Sequence, residues 1–301
     1  MKKITMKKSI SLLGTLTMLL ASSVFITNNV YASSPKVELS WETEGFQRPE
    51  SVLYDDDHNI LFVSNINGTP LDKDGNGFIS VVDENGTIKN LKWVTGLNAP
   101  KGLSRVKDKL YVSDIDQLVE IGINNGRILN RYTIADAKFM NDVSTDTEGN
   151  VYVSDMLANR IYRLKDGKLT VWFESDEIPS PNGLHVEKNR IIVGSWGKMT
   201  DGFKTDVPGH LMTVSLSDKS VNSLGSGEAV GNLDGVEAAG DSKYYVTDWL
   251  SGGLFLIDSN GSAEKLLPLQ QGSADHEVIT QKNLIIIPMM LNDKIVAYSI
   301  K

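Results

Sequence analysis

The sequence contains no cysteine. Disulfides, thiolate zinc sites and cysteine nucleophiles are therefore excluded together. No serine lies in a nucleophile-elbow pattern, so a Ser-His-Asp hydrolase has no support. No long stretch carries the 3.6-residue apolar period of a helix. Beyond residue 32 no run of 18 apolar residues occurs, so no further membrane-spanning helix is expected. Basic blocks are also missing. With 30 Lys and Arg against 38 Asp and Glu, the net charge is −8, a poor match for nucleic acid or anionic lipid.

The N-terminus reads as a secretory signal. Residues 1–32 carry Lys2, Lys3, Lys7 and Lys8 and no acid, then an apolar stretch from Ile10 to about Ile26. They end in Val30-Tyr31-Ala32, with small residues placed for cleavage after Ala32. The expectation is a secreted or periplasmic protein with no stable membrane insertion after cleavage. The mature domain would be 33–301, about 270 residues, long enough for a large core. Its charge would be about −12. Without disulfides, stability must come from core burial, helped by any bound ions.

The rest of the chain is punctuated by Gly, Asp and Asn every 8–12 residues. Between them lie short β-rich runs at Ile60–Val63, Lys109–Val112, Asn150–Val153, Arg190–Val193, Tyr244–Val246 and Leu284–Ile287. A short phrase precedes each run: Pro49-Glu50-Ser51-Val52, Pro100-Lys101-Gly102-Leu103, Met140-Asn141-Asp142-Val143, Pro181-Asn182-Gly183-Leu184, Leu233-Asp234-Gly235-Val236 and Asp275-His276-Glu277-Val278. The polar second positions recur every 45 residues or so. The 25 residues after His276 and the short segment before Glu50 add up to one more period. The sixth repeat is thus split between the termini, with Lys36–Trp41 expected to lie beside Lys294–Ile300. These features predict an all-β fold, a six-bladed β-propeller closed by its N-terminal strand.

In a propeller the innermost strands line a central channel. The recurring position, expected just before each inner strand, brings Glu50, Lys101, Asn141, Asn182, Asp234 and His276 towards the axis. Glu50, Asn141, Asn182 and Asp234 offer four side-chain oxygens and two negative charges. That set suits a hard divalent cation, and calcium above zinc because two of the ligands are neutral amides. Carboxylates gathered without a cation would repel.

The phrases Arg48-Pro49-Glu50, Asn141-Asp142, Ser180-Pro181-Asn182-Gly183 and Leu233-Asp234-Gly235 resemble those of the SMP-30/gluconolactonase/LRE-like family. The resemblance covers nearly the whole mature chain. It implies a calcium at the channel mouth held by Glu50, Asn141, Asn182 and Asp234. It further implies hydrolysis of a lactone or phosphotriester, with Asp234 as general base or nucleophile. A second, structural calcium is implied deeper in the channel. One branch of the family places its ligands at the positions of Glu237 and His276, the first with Glu where Asp is usual; another uses the position of Asp142. Lys101, the one cation of the ring, would either stabilise an oxyanion or neutralise the acids.

The long spacings locate two loops, Asn65–Gly77 and Gly194–Gly209, expected to wall a small-molecule pocket through Trp196, Met199 and Phe203. The run Asp72-Lys73-Asp74-Gly75-Asn76-Gly77 resembles the start of an EF-hand loop, but has no flanking helical pattern and reads as a turn-rich loop. Tyr111-Val112-Ser113-Asp114, Tyr152-Val153-Ser154-Asp155 and Tyr245-Val246-Thr247-Asp248 end second strands; their repetition points to Asp side chains capping turns. Asp155 or Asp248 facing the pocket stays open. His58, His185 and His210 fall outside the recurring positions and read as structural. A rival reading also stands. The segment Asn150 to Ile161 resembles NHL repeats, whose propellers mostly bind partners without a metal.

Overall fold

The computed structural model describes residues 35–301, together with Met1 and Lys3. The expected signal segment otherwise lies outside the described residues. The strand β1 (Val37–Glu44) comes first and is used last. Blade one is β2 (Pro49–Asp55), β3 (Ile60–Asn65), β4 (Gly77–Asp83) and β5 (Ile88–Leu97). Blade two is β6 (Pro100–Val106), β7 (Lys109–Asp114), β8 (Gln117–Gly122) and β9 (Arg127–Thr133). Blade three is β10 (Met140–Thr145), β11 (Val151–Asp155), β12 (Arg160–Lys165) and β13 (Lys168–Glu174).

Blade four starts with β14 (Pro181–Val186) and β15 (Arg190–Ser195). It is interrupted by a separate hairpin, β16 (Gly197–Asp201) and β17 (Lys204–Pro208), and then completed by β18 (Leu211–Ser215) and β19 (Val221–Ser223). Blade five is β20 (Leu233–Gly240), β21 (Lys243–Asp248), β22 (Gly253–Ile257) and β23 (Ala263–Leu267). Blade six is β24 (Glu277–Ile279), β25 (Leu284–Met289) and β26 (Lys294–Ile300), with β1 as its outermost strand. The chain is thus the six-bladed propeller that the repeat predicts. Among the described residues no helix is long and apolar enough to cross a membrane.

The ring closes on β1. Pairing runs antiparallel from Val37↔Ile300 to Glu44↔Lys294. Lys36 and Lys301 exchange backbone bonds of 3.0 and 2.9 Å just outside the strand. The closing strand therefore continues three residues beyond the expected Trp41. The reason is local: Trp41 packs on the blade-one and blade-six core around Phe46 and Ile295, and Thr43 Oγ1 donates to the Gly86 carbonyl at 2.7 Å.

The six β-rich runs all fall in the second strands of the blades. Each is wedged between two neighbouring blades, so both of its faces are apolar. In β3, Leu61 and Val63 join the core shared with Ile286 and Ile295 of blade six. Phe62, pointing the other way, joins Leu110 and Val112 of blade two. In β15, Ile191 and Val193 pack with Tyr152 and Ile161 of blade three, and Ile192 packs with Val236 and Val246 of blade five. Period-two alternation thus divides each strand between two cores.

Candidate active site

Glu50, Lys101, Asn141, Asn182 and Asp234 are each the second residue of an inner strand: β2, β6, β10, β14 and β20. The sequence register placed them one step outside. Pairing begins one residue earlier because Pro49, Pro100, Met140, Pro181 and Leu233 already pair with the second strand. In all five blades the register then shifts directly across the polar residue. A bulge of this kind bends the strand and re-aims a side chain. His276 alone directly precedes its strand, β24.

The repeated hydroxyls and acids hold this geometry. The N–H after the polar residue donates to the hydroxyl of the second strand: Ser51 to Ser64, Asp142 to Ser154 and Gly235 to Thr247, each at 2.9 Å. The following acids clamp the entry to the inner strand. Asp114 accepts from Asn98 and Ala99 N–H, Asp155 from Lys138 and Phe139, and Asp248 from Asn232. This is the capping role their repetition suggested.

Glu50, Lys101, Asn141, Asn182, Asp234 and His276 are all buried. The amides form a chain. Asn141 Nδ2 donates to Asn182 Oδ1 at 2.5 Å, and Asn182 Nδ2 donates to Asp234 Oδ1 at 3.1 Å. Burial raises the Asp234 carboxyl to about 7, with Asp248 adding to the rise and Asn182 opposing it. Burial likewise pushes the Glu50 carboxyl well up, reinforced by Asp234 and Asp275. Glu50 Oε2 is buried without a hydrogen-bond partner. Lys101 Nζ donates to the Ala99 carbonyl at 2.9 Å and lies 4.6 Å from the centre of the Phe139 ring. Burial lowers its pKa to about 8 against the pull of Glu50 and Asp114.

The donor set fits a hard divalent cation. Two carboxylates and two amides converge, one carboxylate oxygen is orphaned, and both acids are held in a place that disfavours their charge. A cation among them reverses that electrostatic cost. Elsewhere the buried Asp55 and the exposed Asp56 and Asp57 also bring oxygens within 4.8 Å of one another. Arg105 lies across all three, and His58 Nδ1 meets Asp55 at 2.8 Å.

The deeper channel holds more acid than the repeat positions suggested. Asp142 accepts from Val143 and Leu184 N–H at 2.6 and 2.5 Å. Asp275 accepts from the Ser51 hydroxyl at 2.5 Å. Burial pushes both carboxyls well up, with Asp275 adding to the rise at Asp142, and Asp234 and Glu237 adding to it at Asp275. Glu277 accepts from Tyr54 N–H at 2.8 Å. Glu237 meets His185 Nδ1 at 3.4 Å, so His185 shares the channel with a candidate ligand. The His276 ring is buried with neither nitrogen bonded, and burial lowers its pKa to about 4, opposed by Glu237. Asp142 interacts with Asp275, Asp275 and Glu277 with Glu237, and Glu237 with His276, so the channel groups form one connected set. Asp275 and Glu277 flank the recurring position of blade six, and the register reading passed over them.

Above the ring opens a cavity of about 300 Å³. Its floor includes Glu50, Lys101, Asn141 and Asp234; its walls include Arg48, Phe139, Trp196 and Phe203. Trp196 and Phe203 are thus where the loop reading put them, whereas Met199 does not line the cavity and instead packs against the Phe139, Met156 and Trp196 cluster. The loop is the β16–β17 hairpin, pinned by Trp196 Nε1 donating to the Phe203 carbonyl at 2.8 Å. A signal that sequence reasoning missed is the residue directly after each second strand. It is Ile66, Ile115, Met156, Trp196, Trp249 and Met290 in the six blades, an apolar collar. All but Ile115 line the cavity.

No family model matches the chain, and no curated protein matches it. Solved structures do resemble it in fold. A virginiamycin B lyase from Staphylococcus aureus is 15% identical with a TM-score of 0.60, over 88% of this chain and 99% of that one. A streptogramin B lyase is 10% identical at 0.60, over 87% and 98%. A gluconolactonase from Xanthomonas campestris, described as important in glucose secondary metabolic pathways, is 14% identical at 0.64, over 90% and 96%. At these identities the likeness is one of fold.

Proposed function

We propose that the protein is a secreted, calcium-dependent hydrolase of the SMP-30/gluconolactonase type, opening a lactone or cleaving a phosphotriester at the floor of this cavity. One observation carries the reading: Glu50, Asn141 and Asp234 floor an apolar cavity, Asn182 is hydrogen-bonded between Asn141 and Asp234, and the Glu50 Oε2 atom is buried and unpartnered. The gluconolactonase among the structural neighbours supports the reaction class. Residues 1–32 would direct export and be cleaved off after Ala32.

Glu50, Asn141, Asn182 and Asp234 would hold the calcium. When bound, such an ion supplies Lewis acidity towards a carbonyl or phosphoryl oxygen. The rest falls to the chain itself. Asp234 takes the proton from water at its carboxylate, or attacks directly. Asn182, donating to Asp234 Oδ1, fixes the orientation of that carboxylate. Lys101 spends one N–H on Ala99 and faces Glu50 with its charge, which offsets the acids of the ring. The collar excludes bulk water, so charges at the floor act in a low-dielectric setting. A second ion would draw on Glu237 and His276 or on Asp142, the latter already committed to two backbone N–H groups.

The test is a screen of aliphatic lactones, aldonolactones and phosphotriesters with and without calcium, joined to metal analysis of the purified protein. Turnover that disappears on chelation and returns with calcium is expected. Unchanged melting on chelation with no turnover would favour the NHL-like alternative, a propeller that binds a partner without chemistry.

A further inference from the structure

Resting on the hydrolase reading of this cavity, we infer that its substrates are amphipathic cyclic esters, with an apolar body in the collar and a carboxylate on Arg48. The collar argues the first half. Ile66, Met156, Trp196, Trp249 and Met290 line the wall, with Phe139, Phe203 and Pro70 beside them. The indole N–H of Trp196 is spent on Phe203. Asn232, behind the hairpin, donates to the Trp196 carbonyl and the Thr205 hydroxyl at 2.7 and 2.8 Å. The wall therefore has few groups to receive hydroxyls. A polyhydroxylated ring buried there would leave hydroxyls unbonded, which is costly, whereas an alkyl or aryl body gains by burial.

Arg48 argues the second half. It is the one charged residue among the wall residues above the floor. Its Nε is buried without a partner, and its NH1 donates to the Gly68 carbonyl at 2.9 Å. Its backbone is left-handed, φ 52°, an uncommon place for a long side chain. Asp293 Oδ1 accepts its N–H at 2.7 Å and Ile66 N–H donates to its carbonyl at 3.1 Å, so the conformation is held from both sides. A guanidinium lining the cavity, with one N–H spent on Gly68, matches a carboxylate better than a neutral group.

Three probes test this with calcium present: glucono-1,5-lactone, a γ-lactone with an alkyl tail, and the same lactone with its tail ending in carboxylate. The expected order of kcat/KM is carboxylate tail, then alkyl tail, then polyol. In Arg48→Gln the ratio between the two tailed lactones should fall roughly ten- to a hundredfold, the loss of one charge-assisted hydrogen bond. Arg48→Lys should restore part of that ratio, which reports recognition even if melting points shift. An unchanged ratio in Arg48→Gln, or a preference for the polyol, overturns the inference while leaving the hydrolase reading intact. The corresponding lactams, titrated against tryptophan fluorescence, separate the two claims. Binding in the same order without turnover of any lactone would sustain the inference about the cavity and sink the hydrolase.

Discussion

Asn182 Nδ2 donates to Asp234 Oδ1 at 3.1 Å, joining the inner strands of blades four and five at the floor of the cavity. The bond aims one Asp234 oxygen and leaves the carboxylate able to take a proton. Asp234→Asn keeps an oxygen for a cation but cannot accept a proton from water. Activity should fall by about 10²–10⁴-fold at saturating calcium, the usual loss of a general base. Full recovery in excess calcium would show that Asp234 only holds the ion.

Chelation should lower the melting temperature, since the buried acids Glu50, Asp234, Asp142 and Asp275 then lack a counter-charge. A ligand present at a hundred times its dissociation constant adds about 2.7 kcal/mol. Glu50→Gln removes one charge at constant size and should weaken calcium binding, read by titration calorimetry. Equal affinity in the variant would remove Glu50 from the ligand set.

Gly183 marks where inner strands crowd the axis. A β-carbon there would lie 1.9 Å from the Asp234 carbonyl oxygen, so no side chain fits without moving β20. Gly183→Ala should cost on the order of 3 kcal/mol, an overpacking penalty. Calcium affinity should fall with it, because the displaced strand carries Asp234. A variant with unchanged melting and affinity would show that the two strands separate freely.

Much of this was legible because repetition multiplies weak signals. A single phrase such as Pro181-Asn182-Gly183 or Tyr152-Val153-Ser154-Asp155 means little, but six equivalent phrases at one spacing revealed the blade count and the closing strand and put Glu50, Asn141, Asn182 and Asp234 at one recurring position. The same repetition read Asp114, Asp155 and Asp248 as backbone clamps. The bulges were illegible because they depend on where Pro49 or Pro181 begins to pair, a tertiary matter. Asp275 and Glu277 were missed because the register picks one polar residue per blade, whereas in the sixth blade, whose inner strand has just three residues, both neighbours of His276 are buried acids at the channel. The collar was readable in principle, as the apolar residue after each second strand, but short apolar positions look like core until a cavity is seen beside them.

Removing β1 tests the closure. Deleting residues 33–44 would strip the partner of Lys294–Ile300, uncover that edge and unseat Trp41 from its core. The ring should melt earlier and associate through the bared strand, measurable by calorimetry and light scattering. A deletion that melts like the parent chain would mean that the other strands of blade six close the ring alone.

The last prediction concerns acid. Glu120 on β8 is buried. Its carboxylate meets Lys109 Nζ at 2.6 Å, the Tyr132 hydroxyl at 2.5 Å and Asn130 Nδ2 at 3.2 Å. Burial alone would raise its pKa, but Lys109, Tyr132 and Asn130 outweigh burial and hold it below the ordinary value. In the unfolded chain the group returns to about 4.3. The stability it contributes is therefore complete above that pH and is lost as pH falls through the depressed folded value. Glu120→Gln keeps the shape and removes the titration, at a cost of about 1–3 kcal/mol near neutrality from weakened bonds to Lys109 and Tyr132. Urea unfolding of both proteins from pH 7 to pH 3 isolates the effect, because every other acid is common to the pair. The gap between them should narrow as pH drops below 4.3 or so. A gap that stays constant across that range would mean that Glu120 gains nothing from its ionised form in the fold.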